Sequence, residues 1–427
     1  MNLPLSTPDL PGVGGVIKAR DEDFFVQELP LYEASGEGEH VYCEIQKVGI
    51  PTFAAVHSIA DALNVSSRDI GYAGMKDARA VSRQVLSVWG TTPEAVMALQ
   101  LPGITVQWAS RHVNKLRLGH LAGNRFAIKI REVEPTHVVR AKAIMQALAT
   151  RGVPNFFGEQ RFGRRMNNDK VGAALIRNDN IEILRLLLGD PMEGLDDPKT
   201  LHARKAFESR DNDTAMKFWP RNAGMERRVL ARLMKTHKPS AAVRSIDEKL
   251  RRLWVSALQS KLFNDLLALR IAAFDQVEVG DLAWKHDSGS VFRVEQLEAD
   301  APRAASFEIS PTGPLIGYRM TLPEGRPLEL ERSVFESYGL TPDAFRQPGQ
   351  HRIKGARRPL RVKPTDVDLA AGVDEHGSYI TVAFTLPPGS FATVVLNEVM
   401  KAKAPNARGV DAAGDEPDDD VVEAEEA

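Results

Sequence analysis

The chain of 427 residues is long enough for two or three domains, and its only cysteine, Cys43, excludes an intramolecular disulfide and a cysteine-based metal site. No apolar run approaches the length of a membrane span, and the first residues lack the basic region and the apolar core of a signal peptide. We therefore expect a cytoplasmic protein that uses neither a membrane nor a metal.

The net charge of −2 is unevenly distributed along the chain. Residues 411–427 contain nine acidic side chains and no Lys or Arg, so the other 410 residues carry a net charge of +7. This terminal segment has too few bulky apolar side chains to bury a core. We predict that residues 406–427 form a disordered acidic tail.

The first part of the chain predicts a sheet covered by a helix. Residues 15–18, 24–28 and 40–47 have strand patterns, and the last of these alternates apolar with polar side chains. Thr52 is a candidate N-cap for a helix that ends at Asn64, and its apolar stripe should pack on the sheet. Later predicted elements are strands at 84–89, 106–110 and 126–131 and a helix from a Thr136 cap to about residue 150.

The segment GYAGMKDARAVSRQ, residues 71–84, sets a base and an acid side by side in a turn with glycines. Residues 70–73 have the composition of a short buried strand, and Gly74 permits the sharp change of direction before Lys76 and Asp77. Such a turn can direct a carboxylate into a cleft. A Lys-Asp pair beside a glycine is most often a solvated turn, so the case for Asp77 depends on the other motifs.

A second unusual segment is VPNFFGEQRFGRRMNND, residues 153–169. It combines three Phe side chains with several cations and amides around two glycines, and its periodicity fits neither a helix nor a strand. Flat rings mixed with cations are typical of proteins that bind single-stranded RNA. The alternative is a surface loop with its Phe side chains tucked beneath it.

The character of the chain changes near Ile181, where leucine-rich helical segments begin and we expect a second domain to start. Its main helix is predicted from Asp247 to Ile271, and residues 309–317 are predicted as a turn-rich loop. Residues 379–384 then form a strand pattern, and residues 386–400 turn into a helix. Basic clusters that could face phosphates occur at Arg227, Arg228, Arg232, Lys235 and Lys238 and at Arg352, Lys354, Arg357, Arg358, Arg361 and Lys363.

Several segments together resemble the TruD family of tRNA pseudouridine synthases, and the resemblance spans most of the chain. The departures are Asp21, where the family usually has Pro, a longer middle region and the acidic tail. The segments that carry it are KARDEDFFVQE (18–28), GEGEH (36–40), GYAGMKDARAVSRQ (71–84), KLRLGHLAGNRF (115–126), VPNFFGEQRFG (153–163), SALQSKLFN (256–264), SPTGP (310–314) and LPPGSFAT (386–393).

The resemblance implies an enzyme that converts one uridine of tRNA, at position 13 in the bacterial family, to pseudouridine without a cofactor or metal. It implies an α+β fold: a pseudouridine synthase catalytic domain with a mixed, largely antiparallel sheet and helices, interrupted by an inserted α/β TRUD domain. The expected boundaries are residues 1–180 and 366–405 for the catalytic domain and residues 181–365 for the insertion. The implied partner is tRNA, and no protein partner is implied.

The same resemblance assigns roles to particular residues. Asp77 would be the catalytic carboxylate, acting either as a nucleophile or by removing a sugar proton, and the sequence leaves both routes open. A nearby cation would favour its charged form, with Lys18 as the first candidate and Lys76 as the second. The remaining implied contacts are stacking of Phe157 on the base, a base and sugar pocket lined by Phe24, Asn155 and Phe391, and phosphate contacts from Arg161, Arg164 and Arg165.

Other functions are compatible with parts of this pattern. A non-catalytic RNA-binding protein would use the same aromatic and basic side chains without needing Asp77. A nucleoside glycosidase would also use a carboxylate and a stacked ring, but it needs a second acid or base, for which the sequence offers no candidate. A nucleotide-binding enzyme is least favoured, because GYAGMKD lacks the spacing of a phosphate-binding loop.

Overall fold

The structure is a computed structural model that describes residues 3–346 and 353–401. The chain divides into two compact units, which we call the sheet unit (Pro4–Asn155 with residues 361–401) and the helical unit (Phe156–Leu360). The helical unit is therefore one continuous segment that interrupts the sheet unit in sequence. The predicted acidic tail from residue 406, and Arg352 of the last basic cluster, lie outside the described residues.

The first part of the sheet unit contains most of the elements that were predicted from alternating and helical patterns, although the helix predicted from a Thr136 cap begins at Val138 with His137 at its N-cap position. Its strands at 24–28, 40–47, 84–89, 106–110 and 126–131 are confirmed. The elements are β1 (Phe24–Pro30), β2 (His40–Val48), α1 (Thr52–Leu63), β3 (Ile70–Tyr72), β4 (Val81–Trp89), α2 (Pro93–Met97), β5 (Ile104–His112), β6 (Leu121–Arg131), α3 (Val138–Arg151) and β7 (Val153–Pro154).

The helical unit surrounds one long central helix, α10, which agrees within two residues with the helix predicted from Asp247 to Ile271 and has Asp247 as its N-cap. Its helices are α4 (Asn168–Ile176), α5 (Asn180–Leu188), α6 (Pro198–Glu208), α7 (Asn212–Phe218), α8 (Gly224–Thr236), α9 (Pro239–Val243), α10 (Glu248–Leu269), α11 (Leu297–Ala305) and α12 (Gly325–Ser337). Its strands are β8 (Leu282–Lys285), β9 (Val291–Arg293), β10 (Ile309–Leu315) and β11 (Ala356–Pro359), in the order β11-β10-β8-β9.

The chain then returns to the sheet unit through β12 (Arg361–Val362), β13 (Thr365–Asp374), β14 (Gly377–Leu386) and α13 (Ala392–Met400). The main sheet has the order β13-β14-β6-β1-β4-β2-β5, with β3 on β4. Among the described strands, β1 and β4 are its parallel pair, and the other pairings are antiparallel. This confirms the α+β class with a mixed, largely antiparallel sheet.

One face of the sheet packs against α1, as its apolar stripe predicted. Val41, Cys43 and Ile45 of β2 and Leu86 and Val88 of β4 are buried in this core. Alternate residues of a strand point to opposite faces, so the neighbours of these side chains in sequence face away from α1. This second face includes Tyr42 and Val85, which pack with Ala73 at the end of β3.

The two units meet in sequence at Asn155 and Phe156 and again at Leu360 and Arg361. The sequence placed these boundaries at residues 180/181 and 365/366. Helix α4 lies within the helical unit because it packs closely against α10: a Cβ on Gly172 would meet the Trp254 carbonyl oxygen at 2.1 Å. The sequence shows the glycine but not its close contact with α10, so it did not indicate that α4 belongs to the helical unit.

Two predictions of secondary structure were wrong. Residues 15–18 form only an isolated bridge between Val16 and Arg131, and Lys18 adopts a positive φ of 55° that interrupts a strand. Residues 309–315 form the buried strand β10 instead of a loop. Ile309 to Pro311 pair with β8, and Thr312 to Leu315 pair with β11. Pro311 and Pro314 therefore each have a ladder partner on only one side of the strand, and a proline, which lacks an N–H, is tolerated at such positions.

None of the helices in the described part of the chain combines the length and the apolar character needed to cross a membrane.

Candidate active site

Asp77 lies in the turn between β3 and β4, and buried side chains from neighbouring elements hold the backbone of this turn. The Gly74 carbonyl accepts a hydrogen bond from Gln84 Nε2 at 3.2 Å, and the Lys76 N–H donates to Thr52 Oγ1 at 2.9 Å. Thr52 was predicted as the N-cap of α1, but Pro51 occupies that position and Thr52 is the first residue of the helix. Its hydroxyl therefore bonds to the turn and to Gln84 instead of capping the helix.

Lys47, at the end of β2, reaches the same turn from the sheet. Its side chain is buried, and its ammonium donates to the carbonyl oxygens of Ile50 (2.5 Å), Lys76 (3.3 Å) and Asp77 (3.1 Å). The pKa of this ammonium is lowered to about 8, mainly because the group is buried; Asp77 opposes the shift and the nearby Lys76 adds to it. The Lys47 ammonium thus bonds both to the carbonyl that precedes Asp77 in the chain and to the carbonyl of Asp77 itself.

The Asp77 carboxylate remains accessible while both of its oxygens have partners. Its side chain is 45% exposed. Oδ1 accepts the Arg79 N–H at 3.1 Å, and Oδ2 forms an ion pair with the Lys18 ammonium. The Lys18 ammonium also lies 4.7 Å from the centre of the buried Phe24 ring. The structure therefore brings together three of the predicted site residues: Lys18, Phe24 and Asp77.

A second ion-pair network fixes the segment that carries Lys18 and Phe24. Val16 and Arg131 exchange backbone hydrogen bonds, and the Arg131 guanidinium bonds to both oxygens of Asp23 at 2.6 and 2.7 Å. Arg131 also bonds to Asp374 in the turn between β13 and β14. The hydrogen bonds from Arg131 hold the pKa of Asp374 well below its usual range, with a smaller contribution from Lys129.

Lys76 does not take the role that the sequence suggested. Its ammonium bonds to Glu28 Oε2 at 2.6 Å, and the two side chains are only 6% and 1% exposed. The other Glu28 oxygen accepts the Val85 N–H at 3.3 Å. Lys76 is thus committed to a buried ion pair beneath the turn, because its side chain points to β1 instead of the Asp77 carboxylate. Its ammonium is therefore not the second cation beside the Asp77 carboxylate that was predicted, and its substrate-binding role stays a prediction.

Asn155 and Phe391 are the other predicted pocket residues of the sheet unit. Asn155 is buried directly after β7, and Phe391 is partly buried at the start of α13. Helix α13 packs near β7, so these two predicted residues lie on neighbouring elements.

Phe157 and Arg161 belong to the helical unit and contact α10. The Phe157 ring is 4% exposed, packs edge-on against Phe263 at 5.6 Å and lies 4.1 Å from the Arg358 guanidinium. Its backbone N–H and carbonyl both bond to the Asn264 side chain, at 2.8 and 3.0 Å. The SALQSKLFN and VPNFFGEQRFG segments are therefore joined through Asn264, which sequence reasoning did not identify.

In the structure, the three arginines of this segment that were predicted to contact phosphates all have partners within the protein. Arg161 is buried and donates to the hydroxyls of Ser256 and Ser260, at 3.1 Å for the latter. Arg165 pairs with Asp196. Arg164 donates to the carbonyl of Leu195 at 2.7 Å. Arg161 is thus buried among protein partners and Arg165 is largely buried, whereas Arg164 is exposed and its phosphate contact stays a prediction.

The last basic cluster is also largely internal. Arg357 forms a bidentate ion pair with Glu331, at 2.6 and 3.1 Å, and the two side chains are 5% and 2% exposed. Arg361 is buried and donates to the Arg151 carbonyl at 2.8 Å. Lys354 and Lys363 are exposed. The prediction that this cluster faces phosphates is therefore wrong for Arg357 and Arg361.

Four residues around the turn, Glu28, Lys47, Thr52 and Gln84, were not identified as site residues from the sequence. For Lys47 a signal existed. It continues the alternation of Val41, Cys43 and Ile45, so a cation was to be expected on the face that packs against α1. A charged side chain at such a position indicates a specific partner.

Comparison with known proteins assigns the chain to a family. The family model of tRNA pseudouridine synthase D (TruD) matches residues 1–399. Proteins named tRNA pseudouridine synthase D from Geobacter metallireducens and Geobacter sulfurreducens are 46% and 47% identical over 401 and 396 residues. These alignments cover 94% and 92% of this chain and 98% and 96% of the relatives.

A solved structure agrees with this assignment. The crystal structure of a Methanosarcina mazei protein that carries the TruD name superimposes with a TM-score of 0.81 at 30% sequence identity. The match covers 94% of this chain and 96% of that protein. The predicted resemblance is thereby confirmed, and the chain belongs to the tRNA pseudouridine synthase D (TruD) family.

Proposed function

We propose that this protein converts uridine 13 of tRNA to pseudouridine and that Asp77 is the catalytic carboxylate. The observation that supports this role is the geometry of Asp77: an accessible carboxylate on a turn whose backbone is held by Lys47, Thr52 and Gln84. A site that does chemistry needs a reactive group whose position is fixed by its surroundings. Solvated turns do not need buried side chains to bond their carbonyl groups.

The reaction breaks the bond between C1′ and N1 of uridine, joins C1′ to C5, releases the proton from C5 and leaves N1 to take up a proton. The uridine must leave its stack so that the enzyme can reach C1′. Asp77 either attacks the sugar or base and forms a covalent intermediate, or removes a sugar proton while the uracil turns over. In both routes the Lys18 ammonium orients one carboxylate oxygen, and the other oxygen is held by the Arg79 N–H.

The remaining contacts of the flipped nucleotide follow from the family motifs. We assign the base and sugar pocket to Phe24, Asn155 and Phe391, and stacking on the base to Phe157. Phe157 is buried against Phe263 and Arg358, so stacking on a base requires its ring to be uncovered. The proposed reaction uses no cofactor, and its substrate places the protein in the cytoplasm.

The direct test is to map pseudouridine in tRNA from cells with and without this protein. Loss of pseudouridine at position 13 in its absence, with restoration by the purified protein on an unmodified transcript, is the expected result. A transcript with cytidine at position 13 is the matched control. Binding of tRNA without pseudouridine would indicate a non-catalytic RNA-binding protein, and release of free uracil would indicate a glycosidase.

Exposed cations on α8 are better candidates for phosphate contacts than the arginines that proved internal. Arg228, Arg232 and Lys235 are exposed at spacings of four and three residues, which puts them on one face of the helix. Arg227, in contrast, donates to the carbonyls of Met216 and Trp219 at 2.9 and 2.8 Å. Within the described residues, none of the three exposed cations forms an ion pair with a carboxylate.

Changing Arg228, Arg232 and Lys235 together to Gln should weaken tRNA binding and flatten its dependence on salt. The slope of log affinity against log salt should fall by roughly one for each phosphate that the variant no longer binds. Turnover at saturating tRNA should change much less than affinity. Filter binding across a salt series measures both the affinity and the slope.

The matched control removes three exposed lysines of the same unit, Lys199, Lys205 and Lys217, which do not form one helical face. An equal loss of affinity and slope in both triple variants would mean that net charge, and not the α8 face, determines binding.

A further inference from the structure

We propose that Lys47 is a positioning residue for the reaction, because its ammonium sets the backbone on which Asp77 is carried. This inference rests on the proposed catalytic role of Asp77. The inference gives Lys47, a buried residue of a strand, a role in the reaction, although buried strand residues usually serve only the packing of the core.

The contacts of Lys47 are unusual for a buried lysine. The residue is 0% exposed, and its three hydrogen bonds to Ile50, Lys76 and Asp77 equal the three donors of an ammonium group. It forms no ion pair with a carboxylate among the described residues. Burying a cation without a carboxylate is costly, so an apolar side chain at this position would favour folding more. The energetic cost of burying the Lys47 ammonium is explained if its three carbonyl contacts serve the active site.

Two of the three carbonyls define the conformation of the catalytic turn. The Lys76 carbonyl belongs to the peptide bond before Asp77, and the Asp77 carbonyl belongs to the peptide bond after it. Fixing the directions of both peptide groups fixes φ and ψ of Asp77, and therefore the direction of its Cα–Cβ bond. The bonds from Thr52 and Gln84 hold earlier parts of the turn, at the Lys76 N–H and the Gly74 carbonyl.

The ammonium form is needed for this arrangement, because a neutral amine has only two N–H donors for three carbonyls. The pKa of Lys47 is lowered to about 8, so the folded protein loses this proton as pH rises through about 8. The charged groups around it are Asp77 and Lys76 in the turn, with Lys18 paired to Asp77 and Glu28 of β1 paired to Lys76. The turn is therefore fully bonded below pH 8 and loses one bond above it.

The test is Lys47→Met, which keeps a long side chain and removes every donor. Turnover at saturating tRNA should fall roughly 100-fold at pH 7, because a displacement of about 1 Å in a reacting group costs that much. The affinity for tRNA should stay within about twofold, because phosphate contacts dominate it.

The pH profile separates positioning from a merely structural role. The ratio of wild-type to Lys47→Met turnover should fall several-fold between pH 7 and pH 9.5, as wild-type Lys47 loses its proton. Ionisation of the substrate affects both proteins equally and cancels in this ratio. A ratio that stays constant over this range would overturn the proposal, as would wild-type turnover by the variant at pH 7.

Val88→Ala is the control for lost stability. Val88 lies in the core of β4 beneath α1, so this variant should unfold at a lower temperature and keep its turnover at 25 °C. If Lys47→Met does not fold, Lys47→Gln replaces it in the same pH series. Its amide donates two hydrogen bonds, and the same decline of the ratio is expected.

The combination with Asp77→Asn distinguishes this inference from the proposed function. In single-turnover assays with enzyme in excess, adding Lys47→Met to Asp77→Asn should cause no further loss, because the group that Lys47 positions is already absent. A further 100-fold loss would overturn the positioning role while leaving Asp77 as the catalyst. Activity retained by Asp77→Asn alone would contradict the proposed function itself.

Discussion

Asp77→Asn should lower pseudouridine formation by roughly 10⁴-fold or more at saturating tRNA, because binding energy cannot replace a group lost from the chemical step. Asn has nearly the same size and can still accept the Arg79 N–H, so the turn should keep its conformation. It lacks the charge that pairs with Lys18 and cannot act as a nucleophile or base. Affinity for tRNA should hardly change, because contacts with phosphates dominate it.

The measurement is tritium release from C5-labelled uridine in tRNA, run beside a filter-binding curve on the same protein. The matched control is Asp61→Asn, because Asp61 is an exposed aspartate on α1 of the same unit. The control should keep full release. If Asp77→Asn kept a tenth of wild-type release, Asp77 would not be the catalytic group.

The sequence predicted the position of Asp77 in the fold because the relevant signals are local. A strand pattern, a glycine and adjacent Lys-Asp residues placed Asp77 in a turn after β3, and the structure has it there. The contact between Lys18 and Asp77 was predicted through the family motifs, since the two residues are 59 positions apart. No spacing rule joins residues at that separation.

The sequence did not reveal which charges are buried. Lys76 was taken as a second cation for Asp77, and Arg161 and Arg357 as phosphate contacts, because composition cannot separate a solvated cation from one inside the protein. Arg357 faces Glu331 from another element, 26 residues away. Such a pair depends on how strand β11 and helix α12 pack together, which only the folded structure defines.

The sequence also did not reveal which side chains hold the turn that carries Asp77, because their contacts too depend on how the elements pack together. Glu28 and Lys76 are 48 residues apart, and they meet because β1 lies next to β4 in the sheet. Strand patterns indicate that each strand exists, but they do not give the order of strands or the parallel pairing of β1 with β4. Lys47 is the exception, since its place in an alternating strand already indicated a buried cation.

Glu28→Gln should reduce the free energy of unfolding of the protein by about 3 to 5 kcal/mol, the usual cost of removing one partner of a buried ion pair. The pair is almost completely buried, so little water can solvate the Lys76 ammonium that is left. The Val85 N–H can still donate to the amide oxygen of the introduced glutamine, which limits the damage to the missing charge. Urea unfolding, followed by circular dichroism and by fluorescence, measures the loss of stability and tests for separate transitions of the two units.

The double variant Glu28→Gln with Lys76→Met identifies the source of this loss. Lys76→Met alone leaves the buried Glu28 carboxylate without its cation, so it should also destabilise the protein strongly. Removing both charges leaves neither ion uncompensated, so the double variant should be more stable than the sum of the two single losses predicts. Additive losses, or a cost below about 1 kcal/mol for Glu28→Gln, would show that the pair does not stabilise the turn. Since the Lys76 backbone carries the peptide bond before Asp77, a shift caused by the unpaired charge should also reduce turnover, and the double variant should recover part of it.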